Sequence, residues 1–378
     1  MTRPRPNSRK KPLSSRRHVL VTGYPGFIGK RLVRRLLQER PGRLSLLVQP
    51  KFMEDARRYI AACGAKEGPA VQLLAGDIAD MHLGLAAAEI DELAGEVDEI
   101  FHLAAVSYLG VSEDLMWRVN VRGTANLLEV AENARHLRRF VHMSTCFVSG
   151  DRQGVISEDE LDEGQGFRTP YERTKFESEK RVQAAAARLP VTVVRPSLVV
   201  GDSRTGEIGR FDGPYALAIL LAASPLSSFP LPGRMEAPLN AVPVDYVVEA
   251  MLRLGESPEA EGKTFHLVDP HPLSARRVYD LIALRLGKKP ARLRVSAMLT
   301  ETVLRLPGLE RMFRDHRQAI ACLNTLAFYT SRNTESVLGA QGLRCPPLES
   351  YLDPLVDFVK ASFAAQKKKR DSVEDPLS

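Results

Sequence analysis

"SRRHVLVTGYPGFIGKRLVRRLL", residues 15–37, passes from a basic arm through three glycines into a long amphipathic stretch. "HVLVT", from His18 to Thr22, is the unbroken apolar run expected of a strand buried on both faces. After it, Gly23 is placed to close a tight turn, Gly26 to let backbone approach a pyrophosphate, and Gly29 to let helix and strand pack closely. A helix starting there offers unpaired N–H groups and a positive dipole end to phosphate, and Tyr24, Pro25, Phe27 and Ile28 complete the cradle. The spacing is GxxGxxG rather than GxGxxG, so the surrounding pattern has to carry the reading. A bare strand-to-helix turn is the alternative.

That pattern is repetitive. "RLSLLV" (43–48), "VQLLA" (71–75), "EIFHLAA" (99–105), "RFVHMS" (139–144) and "VTVVRP" (191–196) repeat the apolar run, with helical periodicity between them. Such alternation predicts an α/β chain: a Rossmann-type, doubly wound parallel sheet covered on both faces. "GKTFHLVD" (262–269) reads as one more strand, and beyond it prolines and helices predict a smaller, mostly helical lobe. The expected layout is a disordered basic arm over 1–17 and a dinucleotide-binding domain over 18–270, with substrate-lobe insertions from about 201. A helical lobe over 271–365 and a disordered tail over 366–378 complete it.

With 378 residues, 44% hydrophobic and 26% charged, the chain can bury a core without staples. Much of its +7 net charge lies in the arm and in "KKKR" near the end, which excludes an organised basic stripe for nucleic acid. Cys63, Cys146, Cys322 and Cys345 are scattered without metal-ligand spacing, so no metal site or disulfide framework is expected and a cytoplasmic setting fits. The most apolar stretch, "YALAILLAA" (215–223), is far below spanning length. Peripheral membrane contact through the arm or this stretch stays open.

The adenosine end is legible too. At the tip of the second strand, where an NAD-binding chain usually carries a carboxylate, stands Gln49, followed by Lys51, Arg57 and Arg58. Cations without a carboxylate suit a 2′-phosphate, so NADPH is expected over NADH, with NADH still open. Asp77, followed by Ile78 after the third strand, is placed to meet the adenine amine or to cap a helix.

In "TPYERTKFESEKR", Tyr171 and Lys175 stand at i and i+4 and so share a helix face. An ammonium beside a phenol favours the phenolate and makes Tyr171 a proton exchanger, while Lys175 can hold ribose hydroxyls. In "FVHMSTCFVSG" the strand ends in Ser144 and Thr145, where ligands of open parallel sheets bind, and a hydroxyl there can hold a substrate carbonyl.

Taken in order, the glycine turn, "HLAA", "NVRGTANLLE", "STCFVSG", "YERTK" and "RPSLVVG" resemble the extended short-chain dehydrogenase/reductases over about residues 18–270. The resemblance implies a catalytic Thr145–Tyr171–Lys175 triad, with Asn120 shaping the site from a neighbouring helix. It also implies that Ala104 and Ala105 line the cofactor and that Pro196 and Ser197 lie near the nicotinamide carboxamide. "AGDIADMHLGL", "GDSRTGEIGRFDGPY" and "NAVPVDYVVEAM" look closest to the male-sterility branch of fatty acyl-CoA reductases and thioester reductase domains. Pro25 inside the glycine turn departs from that pattern.

The expected reaction is NADPH-dependent reduction of an acyl thioester to aldehyde or alcohol, with 216–223 and "PLSSFPLPG" as a candidate acyl wall. The alternatives are a sterol-type dehydrogenase, a ketone or aldehyde reductase, a nucleotide-sugar epimerase, and a non-catalytic NADP sensor. Pairing into a homodimer is a further expectation taken from the resemblance.

Overall fold

The apolar runs pair edge to edge. Strands β1 (His18–Thr22), β2 (Arg43–Val48), β3 (Val71–Ala75), β4 (Glu99–His102), β5 (Arg139–Met143), β6 (Val191–Pro196) and β7 (Thr264–Leu267) form one parallel sheet. Their order is β7–β6–β5–β4–β1–β2–β3. The computed structural model describes residues 17–40, 42–107, 111–209, 215, 218–219, 221, 231–232, 235–290, 294–295 and 326–374.

Burial on both faces explains the unbroken runs. Val19 and Val21 join the core under helices α1 (Phe27–Glu39), α2 (Met53–Ala62) and α6 (Val244–Glu256), while Leu20 between them joins the opposite core. That second core lies under α3 (Ala87–Glu96), α4 (Gly123–Asn133) and α5 (Pro170–Ala185). The strand order reverses between β1 and β4, which opens a crevice at their C-terminal ends.

A third core joins α7 (Ala275–Arg285) to α8 (Leu352–Glu374). Tyr215, Ala218 and Leu221 are buried in it; the rest of the expected acyl wall lies outside the described residues, apart from partly buried Ile219 and the backbone of 231–232.

Three segments depart from the expected layout. Arg17, the last residue of the expected arm, is fastened to Glu99 and to Glu256, the latter at 2.9 Å; residues 1–16 lie outside the described residues. Helix α8 runs to Glu374, into the expected tail, through Ala, Gln, Lys and Arg, all strong helix formers. The chain beyond α7 also returns to the first domain. Strand Ala327–Tyr329 pairs in parallel with Gly154–Ile156, and Val337 and Leu338 enter the same core as Val19.

Glu158 anchors this return. Its buried carboxylate accepts from the backbone N–H of His266 (2.9 Å), Asn333 (2.6 Å) and Thr334 (3.2 Å), and from the Thr334 hydroxyl (2.9 Å). Glu158→Ala strips these donors of their acceptor, so we expect a loss of about 3 kcal/mol, read from the urea midpoint.

Candidate active site

Helix α5 starts where its sequence says it should. Pro170 occupies the first turn, and Thr169 caps it by accepting from Glu172 N at 3.1 Å. This places Tyr171 and Lys175 near the helix start, beside the C-terminal ends of β5 and β6. The Tyr171 hydroxyl lies near the side chain of Thr145. Burial pushes the phenol up to about 12, and the neighbouring Thr145 hydroxyl opposes that shift. The Lys175 ammonium donates to Met143 O at 2.8 Å; burial lowers it to about 8, and the carboxylate of Glu179 pulls the other way. Thr145 itself is fixed, its Oγ1 accepting from Phe147 N at 3.3 Å.

At the other end lies the glycine turn. Gly23 has φ +82°, and a methyl group there would sit 2.6 Å from the Leu103 carbonyl carbon and 2.7 Å from Ala104 N. Methyl groups at Gly26 and Gly29 would stand 2.7 and 2.6 Å from the Gly23 carbonyl oxygen. All three glycines therefore knit the turn together, a role expected for Gly29 and found for Gly26 as well. No side chain caps the α1 N-terminus, and its dipole faces the crevice mouth. Across the sheet, the Ser197 hydroxyl is buried without a partner at the end of β6.

These features fit a nicotinamide dinucleotide. The uncapped helix end and close-packed turn suit a pyrophosphate, and the orphaned Ser197 hydroxyl suits a carboxamide. Ala104 and Ala105 are half-buried on the chain leaving β4, and Ala104 N donates to Thr22 Oγ1 at 3.3 Å.

Several expected residues face elsewhere. Ser144 donates to Glu179, two helical turns beyond Tyr171 on α5, so of the two adjacent hydroxyls only Thr145 lies near Tyr171. Asn120 lies in a π-helical turn (Trp117–Arg122) and pairs with the Val106 backbone, accepting at 2.7 Å and donating at 3.0 Å. It also donates to Thr174 at 3.0 Å, so it fixes the chain after Ala105 and has no bond to Tyr171 or Lys175.

The cradle changes in the same way. Tyr24 turns its side chain into the core and donates to Ala56 O at 2.8 Å, leaving only backbone for a phosphate. Phe27 lies 4.1 Å below the Arg31 guanidinium, Ile28 packs against the core, and the Pro25 ring is half-buried. Ile78 is a core residue against Gly123. Asp77 accepts from Ala79 N at 2.9 Å and from Gln49 Nε2 at 2.7 Å, joining the tips of β2 and β3. The Pro196 carbonyl lies 3.5 Å from Thr145 Oγ1, and Lys51 lies 5.0 Å above the Phe52 ring.

The parallel sheet and its crevice, taken with the family match that follows, define an NAD(P)-dependent oxidoreductase of the extended short-chain dehydrogenase/reductase type. The sequence profile described as "Male sterility protein" matches residues 21–251, and the chain belongs to that family. It is similar to the fatty acyl-CoA reductase wat of Drosophila melanogaster, 28% identical over 276 residues, covering 62% of this chain and 53% of that one. It is also 28% identical over 296 residues to a carboxylic acid reductase of Segniliparus rugosus, covering 69% and 25% of the two chains. The chain thus spans about half of the first relative and a quarter of the second. Among solved structures, the terminal R domain of the myxalamid PKS–NRPS pathway superimposes with a TM-score of 0.77 at 26% identity, covering 92% of this chain and 91% of that one. Among the described residues no helix is long and apolar enough to cross a membrane.

Proposed function

We propose that the protein reduces an acyl thioester, fatty acyl-CoA or carrier-bound, with NADPH, yielding the aldehyde or, after a second round, the alcohol. The observation carrying this reading is the placement of Tyr171 near Thr145 and, one helical turn on, of buried Lys175 held at Met143 O by the crevice. The relatives described above, a fatty acyl-CoA reductase, a carboxylic acid reductase and a terminal R domain, support the thioester. When bound, the nicotinamide supplies the hydride.

The chain's own groups do the rest. Thr145 and Tyr171 donate to the carbonyl oxygen, and their bonds strengthen as negative charge develops there. Tyr171 passes its proton to that oxygen. Collapse of the hemithioacetal then breaks the C–S bond and frees the thiol. Lys175, held at Met143 O, keeps positive charge beside the phenol and presents its remaining N–H groups to the ribose. An NADPH-oxidation screen over long acyl-CoAs, aldehydes, sterols and nucleotide sugars tests the assignment; turnover confined to sugars or sterols would overturn it.

The cofactor preference rests on Lys51. Arg57 is paired with Glu67 at 3.1 Å and Arg58 with Asp55 at 3.7 Å, whereas Lys51 meets only an aromatic ring among the described residues. Lys51→Glu is expected to weaken NADPH roughly tenfold and leave NADH nearly unchanged, about 1.4 kcal/mol of discrimination by fluorescence titration.

A further inference from the structure

Behind α5 lies a cluster of charged side chains that the reaction above does not use. Glu179, one helical turn beyond Lys175, is wholly buried and forms a 2.6 Å ion pair with Arg195 of β6, itself 1% exposed. Its carboxylate also accepts from the hydroxyl of Ser144, the residue after β5, and, at 3.0 Å, from Gln183 Nε2. Arg195 is held from behind in turn, by Glu158 O at 3.3 Å and His266 Nε2 at 3.2 Å. The His266 ring reaches Thr330 O at 2.7 Å. Both charges are thus held by partners on α5, β6 and β7 and by Ser144 and Glu158 in the connecting segments.

We infer that Glu179 is a positioning residue for catalysis: fixed by Arg195, its carboxylate holds the end of β5 through Ser144 and supplies the negative charge that keeps Lys175 an ammonium beside Tyr171. This rests on the reading of Tyr171 and Lys175 given above.

A buried ion pair is in general a poor source of stability, since desolvation consumes most of what the attraction yields. A pair kept here, directly behind the lysine, has an electrostatic use. The other groups acting with Lys175 are two buried histidines, His142 on β5 and His102 on β4. Burial holds both histidines well below their ordinary value, so they are neutral, and nearby Lys175 lowers them further. Glu179 is therefore the anion that acts on Lys175. Because burial drives the ammonium towards losing its proton near pH 8, removing that anion moves the loss to lower pH.

The experiment is the pH profile of NADPH-linked turnover in the full chain, with dinucleotide binding followed in parallel. In Glu179→Gln the alkaline limb should move down by about one pH unit, giving roughly tenfold less turnover on the alkaline side and near-normal turnover on the acidic side. Glu179→Asp, which keeps the charge, should restore the limb. If Glu179→Gln leaves Arg195 uncompensated and does not fold, the double variant Glu179→Gln/Arg195→Met removes both charges and should move the limb in the same direction.

Lys175→Met separates the two readings. It should abolish the limb; if the limb persists there, the assignment of Lys175 fails. If the limb vanishes in Lys175→Met but Glu179→Gln lowers turnover equally at every pH, Glu179 is merely structural and the inference is overturned.

Discussion

Tyr171→Phe should lower turnover by roughly 10²–10⁴-fold, the range lost when a positioned proton donor is removed. The ring stays, so the packing at the start of α5 survives, and only the hydroxyl near Thr145 is lost. Dinucleotide binding, measured by fluorescence titration, should be unchanged, because Lys175 keeps its bond to Met143 O. A variant that still reduces substrate at the parental rate would remove Tyr171 from the chemistry.

The largest structural effect is expected at Gly23. Its φ of +82° costs an L side chain about 1–2 kcal/mol. A methyl group 2.6–2.7 Å from the backbone of Leu103 and Ala104 must also push the end of β4 away, for about 1–3 kcal/mol more. Gly64 provides the control: its φ is +79°, yet nothing lies within 4 Å of its added methyl group. Gly64→Ala should therefore show the backbone cost alone. Gly23→Ala should show both costs in the urea midpoint, together with weakened dinucleotide binding. Equal destabilisation in the two variants would mean that the β4 exit yields without cost.

The sheet was readable because strands buried on both faces leave unbroken apolar runs, and β1 to β7 each carry one. Tyr171 and Lys175 were readable because helix periodicity alone puts i and i+4 together. What was hidden depends on facing. Nothing local separates Ser144 from Thr145, yet one bonds to Glu179 and the other lies near Tyr171, two turns earlier on the same helix. Asn120 was placed at the site by resemblance, but the π-helical turn that directs it to Val106 has no clear sequence signature. The Glu179–Arg195 pair did leave a trace. An arginine inside the apolar run "VTVVRP" requires a buried counter-charge, and Glu179 stands one turn past Lys175. Glu158 left none, since its four donors come from residues more than a hundred positions away.

The return of Ala327–Tyr329 to Gly154–Ile156 has an engineering consequence. The chain leaves the nucleotide-binding scaffold after β7 and is paired with it again at Ala327, so both splice points of this excursion sit on that scaffold. A chimera that grafts another reductase's excursion between those points would retain Glu158, its donors and the Tyr171 centre. Cutting the chain after β7 instead would discard Val337 and Leu338 from the scaffold's own interior.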